Sequence, residues 1–186
     1  MRRIHNKTDV DDPEARAGAM PDRFRADEME EGAIAMADEL SFRDLGFAGQ
    51  FVVWSVRKWV DVMRSESKEL ALLRHTFMRA GLCDAFEAFD YMMRIITVCA
   101  RRTIEVRCVC RPAVSPDETI FLGLIKAGQQ GDALNAHLYL DSFVPSAATR
   151  IAHSPVVQLA EAMHRAGMPL SGNADCHLRL RYDRLH

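Results

Sequence analysis

The stretch Phe47-Ala-Gly-Gln-Phe-Val-Val-Trp-Ser-Val-Arg-Lys-Trp-Val-Asp-Val-Met63 decides the fold class. Val52, Val56, Trp59 and Met63 recur at the spacing of one helical face, and Val53, Trp54 and Val60 widen that face. A face this broad belongs to a central helix touched on more than one side. Arg57, Lys58, Asp61 and Arg64 read as its solvated edge.

Working outward, helical periodicity continues. Ser67 can cap a helix with Leu70, Leu73, Phe77 and Ala80 on one stripe, stopped by Gly81. Asp84-x-x-Glu87 is a capping pair for the next, which turns Phe86, Phe89, Met93 and Ile96 inward. The short link between these two helices favours an antiparallel hairpin. Ser115-Pro116-Asp117-Glu118 is the clearest local signal: N-cap serine, proline at the first helical position, acids in the first turn, Glu at N3. The helix it opens carries Phe121, Leu124 and Ile125 and stops at Gly131. Ala133 to Phe143 forms a partner helix with Leu134 and Leu138 as its apolar positions, broken by Pro145. Ser154-Pro155 starts a last helix through Leu159, Ala160 and Met163. On the N-terminal side, Ala33, Ile34, Ala37 and Leu40 make a modest stripe.

Two segments depart from this period. Thr103-Ile-Glu-Val-Arg-Cys-Val-Cys110 and Cys176-His-Leu-Arg-Leu-Arg-Tyr182 alternate with period two, as strands do. Each would leave its backbone ladder unsatisfied alone, so the two are expected to pair. The predicted fold is therefore mainly α, a compact bundle of six or seven helices with a small two-stranded β-ribbon, about 103–110 with about 176–182. Residues 1–25, polar, acidic and broken by Pro13, Gly18 and Pro21, read as a flexible leader, and 26–186 as one helical domain.

Composition narrows the function. A hydrophobic fraction of 48% with 27% charge is that of a globular chain. A net charge of -2 argues against general nucleic-acid binding. Residues 1–40 hold eleven acids against six bases, so the remainder is mildly basic behind an acidic leader. No apolar run reaches the roughly 18–20 residues of a membrane span, and no h-region follows Arg2 and Arg3. Five cysteines, an odd number, read as reduced thiols in a cytoplasmic protein.

Four constellations could carry chemistry. If the ribbon forms, Cys108 and Cys110 meet Cys176 and His177, a donor set suited to tetrahedral zinc. The competing readings are thiols that pack between ribbon and helices, or a redox pair or disulfide. Arg101, Arg102, Arg107 and Arg111 flank one strand while Arg179 and Arg181 occupy the other, a surface for an anion or acidic partner unless the leader's own acids dock there. Glu161-x-x-His164 has the spacing of carboxylate-bridged di-metal bundles, but no second such pair occurs, so it reads as a solvated face. Arg74-His75-Thr-Phe-Met-Arg79-Ala-Gly81 resembles the phosphoaccepting helix of histidine phosphotransfer domains, with cation and glycine one position later than in that pattern. That resemblance implies His75 as an exposed phosphoacceptor.

Phosphate loops, nucleophile elbows and zinc-protease motifs are absent from the sequence, and no acid–base set stands out. The expected function is thus a non-enzymatic, cytoplasmic helical module that binds another protein, a second copy of itself included, as regulator, adaptor or assembly subunit. Methionines at surface positions (Met29, Met36, Met78, Met92) would suit adaptable contacts. Zinc binding through Cys108, Cys110, Cys176 and His177 is the alternative, and phosphotransfer through His75 the second alternative.

Overall fold

A computed structural model of the chain describes residues 24–25, 40–65 and 69–170. Six α-helices dominate: α1 (Phe47–Arg64), α2 (Leu70–Arg79), α3 (Ala85–Cys99), α4 (Pro116–Gln130), α5 (Ala133–Asp141) and α6 (Ser146–Arg165). The fold is a mainly α bundle, as the apolar periodicity requires.

The central position of α1 follows from its composition. Val52, Val53, Val56, Trp59 and Val60 are all buried, and so is Phe51. Phe51 and three phenylalanines from the next two helices form one aromatic knot around Phe77, with centroids 5.0 Å to Phe51, 5.5 Å to Phe86 and 5.1 Å to Phe89. Such tilted and edge-on pairs add about 0.5–1.5 kcal/mol each to the burial of the rings themselves. Trp59 is satisfied at its polar end, donating Nε1–H to Asp90 at 2.7 Å. The most extensive helix pairing is α3 with α6, and α4 lies against α5, α6 and α1. At the α4–α6 crossing Gly128 lets the backbones close: a Cβ there would stand 2.7 Å from that of Ala160.

Several local expectations hold. Ser115 caps α4 in a complete capping box with Glu118, and Gly131 ends the helix at φ +68. Gly81 follows α2 at φ +75. Others are corrected. Asp84 stands at the N-cap of α3 but makes no side-chain cap bond; Glu87 instead pairs with Arg74 of α2. In α5 the buried positions are Ala136 and Leu140, while Leu134 is 72% exposed. The last helix does not begin at Ser154. It begins at Ser146 and runs through Pro155. The carbonyl deprived of its donor belongs to Ile151, an exposed residue that water can reach. Ala148, Ala152, Val156, Leu159, Ala160 and Met163 of the same helix are buried, which outweighs the roughly 3 kcal/mol that an interior proline costs.

Among the described residues, the mid-chain extended segment finds its backbone partners on the N-terminal side of the chain. Ile104–Glu105 (β2) pairs in parallel with Phe24–Arg25 (β1), Phe24 opposite Ile104 and Arg25 opposite Glu105. Further on, Ser41 and Ala113 form an antiparallel bridge, with Phe42 N–H to Pro112 C=O at 2.6 Å and Val114 N–H to Leu40 C=O at 2.8 Å. Regular pairing ends at Glu105, short of the expected 103–110, and Val109–Cys110 lie in a turn. The other half of the expected ribbon, 176–182, lies outside the described residues, as do the helical stripe at 33–39 and the leader before Phe24.

Candidate functional site

The chemistry-bearing part of the molecule is the loop between β2 and α4, and its geometry is set by a guanidinium from the middle of α1. Arg57, read from sequence as solvated, is 2% exposed. It lies between Val53 and Val60 on the apolar face, one turn from each. Burying an unpaired guanidinium would be prohibitive, and its charge is met in full. Nε and Nη2 each donate to the Glu118 carboxylate at 2.8 Å. The remaining donors reach backbone carbonyls of the loop: Cys108 at 3.3 Å, Arg111 at 2.6 Å and Ala113 at 2.7 Å.

Glu118 is equally occupied. Besides Arg57 it accepts the backbone N–H of Arg107 at 3.0 Å and that of Ser115 at 2.8 Å. Its neighbour Asp117 accepts two bonds from Arg102, at 2.9 and 2.6 Å, and the N–H of Glu105 at 2.7 Å. Ser115 Oγ donates to the carbonyl of Glu105 at 2.6 Å. The first turn of α4 therefore serves the extended segment as a neighbouring strand would, with side chains in place of a ladder. This is the physical reason that 103–110 can stand without a long β partner.

At the tip of the loop stand Cys108 and Cys110. Cys108 C=O accepts the N–H of Arg111 at 3.0 Å, closing a turn around the pair. The two sulfurs lie 2.6 Å apart and both residues are exposed, which overturns the packing-thiol reading. The N–H of Cys110 also points at Cys108 Sγ, at 3.4 Å. Contact with Cys110, then this backbone donor, hold the Cys108 thiol below its ordinary range; burial and Asp61 oppose the shift and Arg57 assists it. The same contact pushes Cys110 upward. Polarised in this way, the pair has one sulfur readier to be a thiolate.

Of the predicted zinc set, Cys108 and Cys110 are thus brought together, whereas Cys176 and His177 lie outside the described residues. Among the described residues no three of His, Cys, Asp and Glu converge as a metal site. Of the predicted cationic surface, Arg102 is paired with Asp117 and packs over Phe143. Arg101 donates to the backbone carbonyl of Asp141, and Arg107 lies 3.4 Å from Glu105. Arg111 is exposed, and Arg179 and Arg181 lie outside the described residues. His75 is exposed on α2, as its place off the apolar stripe requires. Met78 is exposed too, but Met92 is buried, so the surface-methionine expectation fails there because Met92 turns toward the core of α3.

Sequence reasoning missed two features. One is the Arg57–Glu118 pair, whose signal was a charge set within an apolar stripe. The other is a histidine pair between α5 and α6, with the rings of His137 and His153 centred 4.6 Å apart. Inside the bundle, Ser55 lines a void of about 10 Å³ with Phe51, Phe77, Phe121, Leu159 and Met163 among its walls. That is room for about one water, far below the several hundred Å³ of a small-molecule site.

These features define a helical bundle that presents a pinned dithiol loop. Comparison with protein-family models, with curated proteins and with solved structures returns no match to this chain.

Proposed function

We propose that the protein is a helical module that binds another protein, a further copy of itself included, through the outer face of α3. What supports this reading is one stripe of that helix. Tyr91 is 53% exposed and Val98 67% exposed, with half-buried Ile95 between them. Spacings of four and three residues put all three side chains on one side of the helix, the pattern by which an amphipathic helix seats itself against a partner. Arg94, paired with Asp90 at 2.8 Å, borders the stripe and supplies a polar rim. A photo-crosslinking residue at position 91, incorporated in the native host, tests it directly. A discrete cross-linked species, lost in Val98→Asp, is the expected result. Absence of any such species, together with a monomeric mass at every concentration reached, refutes the reading.

Zinc binding is the second reading, and the exposure of both thiols on one loop favours it, although tetrahedral ligation would set their sulfurs about 3.8 Å apart, wider than the 2.6 Å seen. Cys176 and His177 would complete the tetrahedron. Metal analysis of untagged protein decides it: zinc well below one equivalent, with melting unchanged by chelator, ends it, because structural zinc is coupled to folding.

A further inference from the structure

The geometry points to a separate activity at the dithiol loop: Cys108 and Cys110 form a thiol–disulfide exchange pair that reduces low-molecular-weight disulfides, Cys108 attacking and Cys110 resolving. This goes beyond the protein-binding reading, and it needs only the two sulfurs that the described loop brings together, whereas zinc needs further ligands.

Exchange requires two thiols within bonding reach, a reason for one of them to attack first, and access for the oxidant. All three are present. The sulfurs are in contact at 2.6 Å. Two cysteines separated by one residue in a turn also keep their Cα atoms within the about 4.4–6.8 Å that a disulfide spans. The backbone around them is held in place: the Cys108, Arg111 and Ala113 carbonyls are all bound by one buried guanidinium. Loss of two thiol hydrogens therefore asks little movement of the loop. Both residues are exposed, unlike half-buried Cys99. Cys108 is the better nucleophile on geometry, because the Cys110 N–H is aimed at its sulfur and would stabilise a thiolate there.

The chemistry balances in two steps. Cys108, having given its proton to solvent, attacks one sulfur of the disulfide; a Cys108–S–S bond forms and the first small thiolate leaves, taking a proton from water. Cys110 then loses its proton and attacks Cys108 Sγ, so that an intraloop disulfide forms and the second small thiolate departs. The protein is oxidised by two electrons, and the small disulfide is reduced to two thiols. Recycling would take a dithiol reductant, the reverse of the same steps.

The test uses reduced full-length protein with chelator present, glutathione disulfide as the probe, rapid alkylation and peptide mapping. In the wild type the peptide bearing both cysteines should lose two hydrogens and escape alkylation, with glutathione carried only transiently. In Cys110→Ser a glutathione adduct should accumulate on Cys108. In Cys108→Ser any adduct on Cys110 should form at least ~10-fold more slowly than the adduct on Cys108 in Cys110→Ser, because the backbone N–H of residue 110 is aimed at the Cys108 sulfur. A wild type that keeps the mixed disulfide without closing the ring overturns the proposal. So does labelling of Cys108 in Cys110→Ser no faster than that of exposed Cys83, or ring closure to Cys176 in place of Cys110. None of these outcomes depends on the α3 stripe, so failure here and failure of the protein-binding reading are told apart.

Discussion

Replacing Glu118 with glutamine should be among the most damaging isosteric changes available in this chain. The carboxylate receives four N–H groups, two from Arg57 and one each from the backbones of Arg107 and Ser115. An amide keeps one acceptor oxygen and turns two donors toward Arg57 Nη2 and the Ser115 N–H, where only acceptors fit. Arg57 remains charged and buried without its counter-charge. Removing one partner of such a pair costs about 3–5 kcal/mol. The two charge-assisted bonds alone, at about 1.5–3 kcal/mol each, give the same size. For a domain of this length that is a fall of roughly 6–20 °C in the unfolding midpoint. Urea unfolding followed by the fluorescence of buried Trp59 measures it, and a cycle of Arg57→Met, Glu118→Leu and Arg57→Met/Glu118→Leu isolates the pair. The double variant should be less destabilised than the sum of the singles by at least ~2 kcal/mol, though still weaker than wild type because the Arg111 and Ala113 carbonyls lose the guanidinium and the Cys108 carbonyl keeps only the Arg111 N–H. A loss below about 1 kcal/mol for Glu118→Gln, or additivity within about 0.5 kcal/mol, would refute the reasoning.

Two further outcomes are expected. Gly128→Ala should destabilise by about 1–3 kcal/mol despite alanine's better helix propensity, because its Cβ meets that of Ala160 at 2.7 Å, and Ala160→Gly added to it should recover part of the loss in a thermal melt. The histidine pair should make stability fall with acid. Burial first, and His137 second, hold His153 below the ordinary histidine value. The unfolded chain therefore takes up more protons as pH drops through about 6.5; the stabilisation is complete above that value and fades below it. His153→Asn should flatten the decline of the unfolding midpoint between about pH 7.5 and 5.5, and an unchanged slope would show that other groups cause it.

The helices were legible because their signals are local and redundant. Ser115, Pro116 and Glu118 each mark the same start of α4, and Phe86, Phe89, Met93 and Ile96 repeat at helical spacing, all of them buried in α3. What failed to show were features decided by partners far along the chain. Arg57 resembles its exposed neighbour Arg64 until Glu118, 61 residues on, is known to be opposite it. Pro155 reads as a helix start by its own preference, and only packing of the residues around it carries α6 through. The alternation after Thr103 suggested a long ribbon, yet a two-residue strand suffices once carboxylates from α4 take the backbone N–H groups of Glu105 and Arg107. The thiols were visible as a pair, but their exposure was not, because alternation places Cys108 and Cys110 on the same side as buried Ile104 and Val106 only while the chain stays extended.

The separation between Arg57 and Glu118 also bears on how the chain acquires its structure during synthesis. A nascent chain released only as far as Cys99 offers Arg57 neither its carboxylate nor any of the loop carbonyls that accept from it. Until the start of α4 emerges from the ribosome, the apolar face of α1 can be covered only by enclosing an uncompensated cation, so its native burial must wait for that later segment.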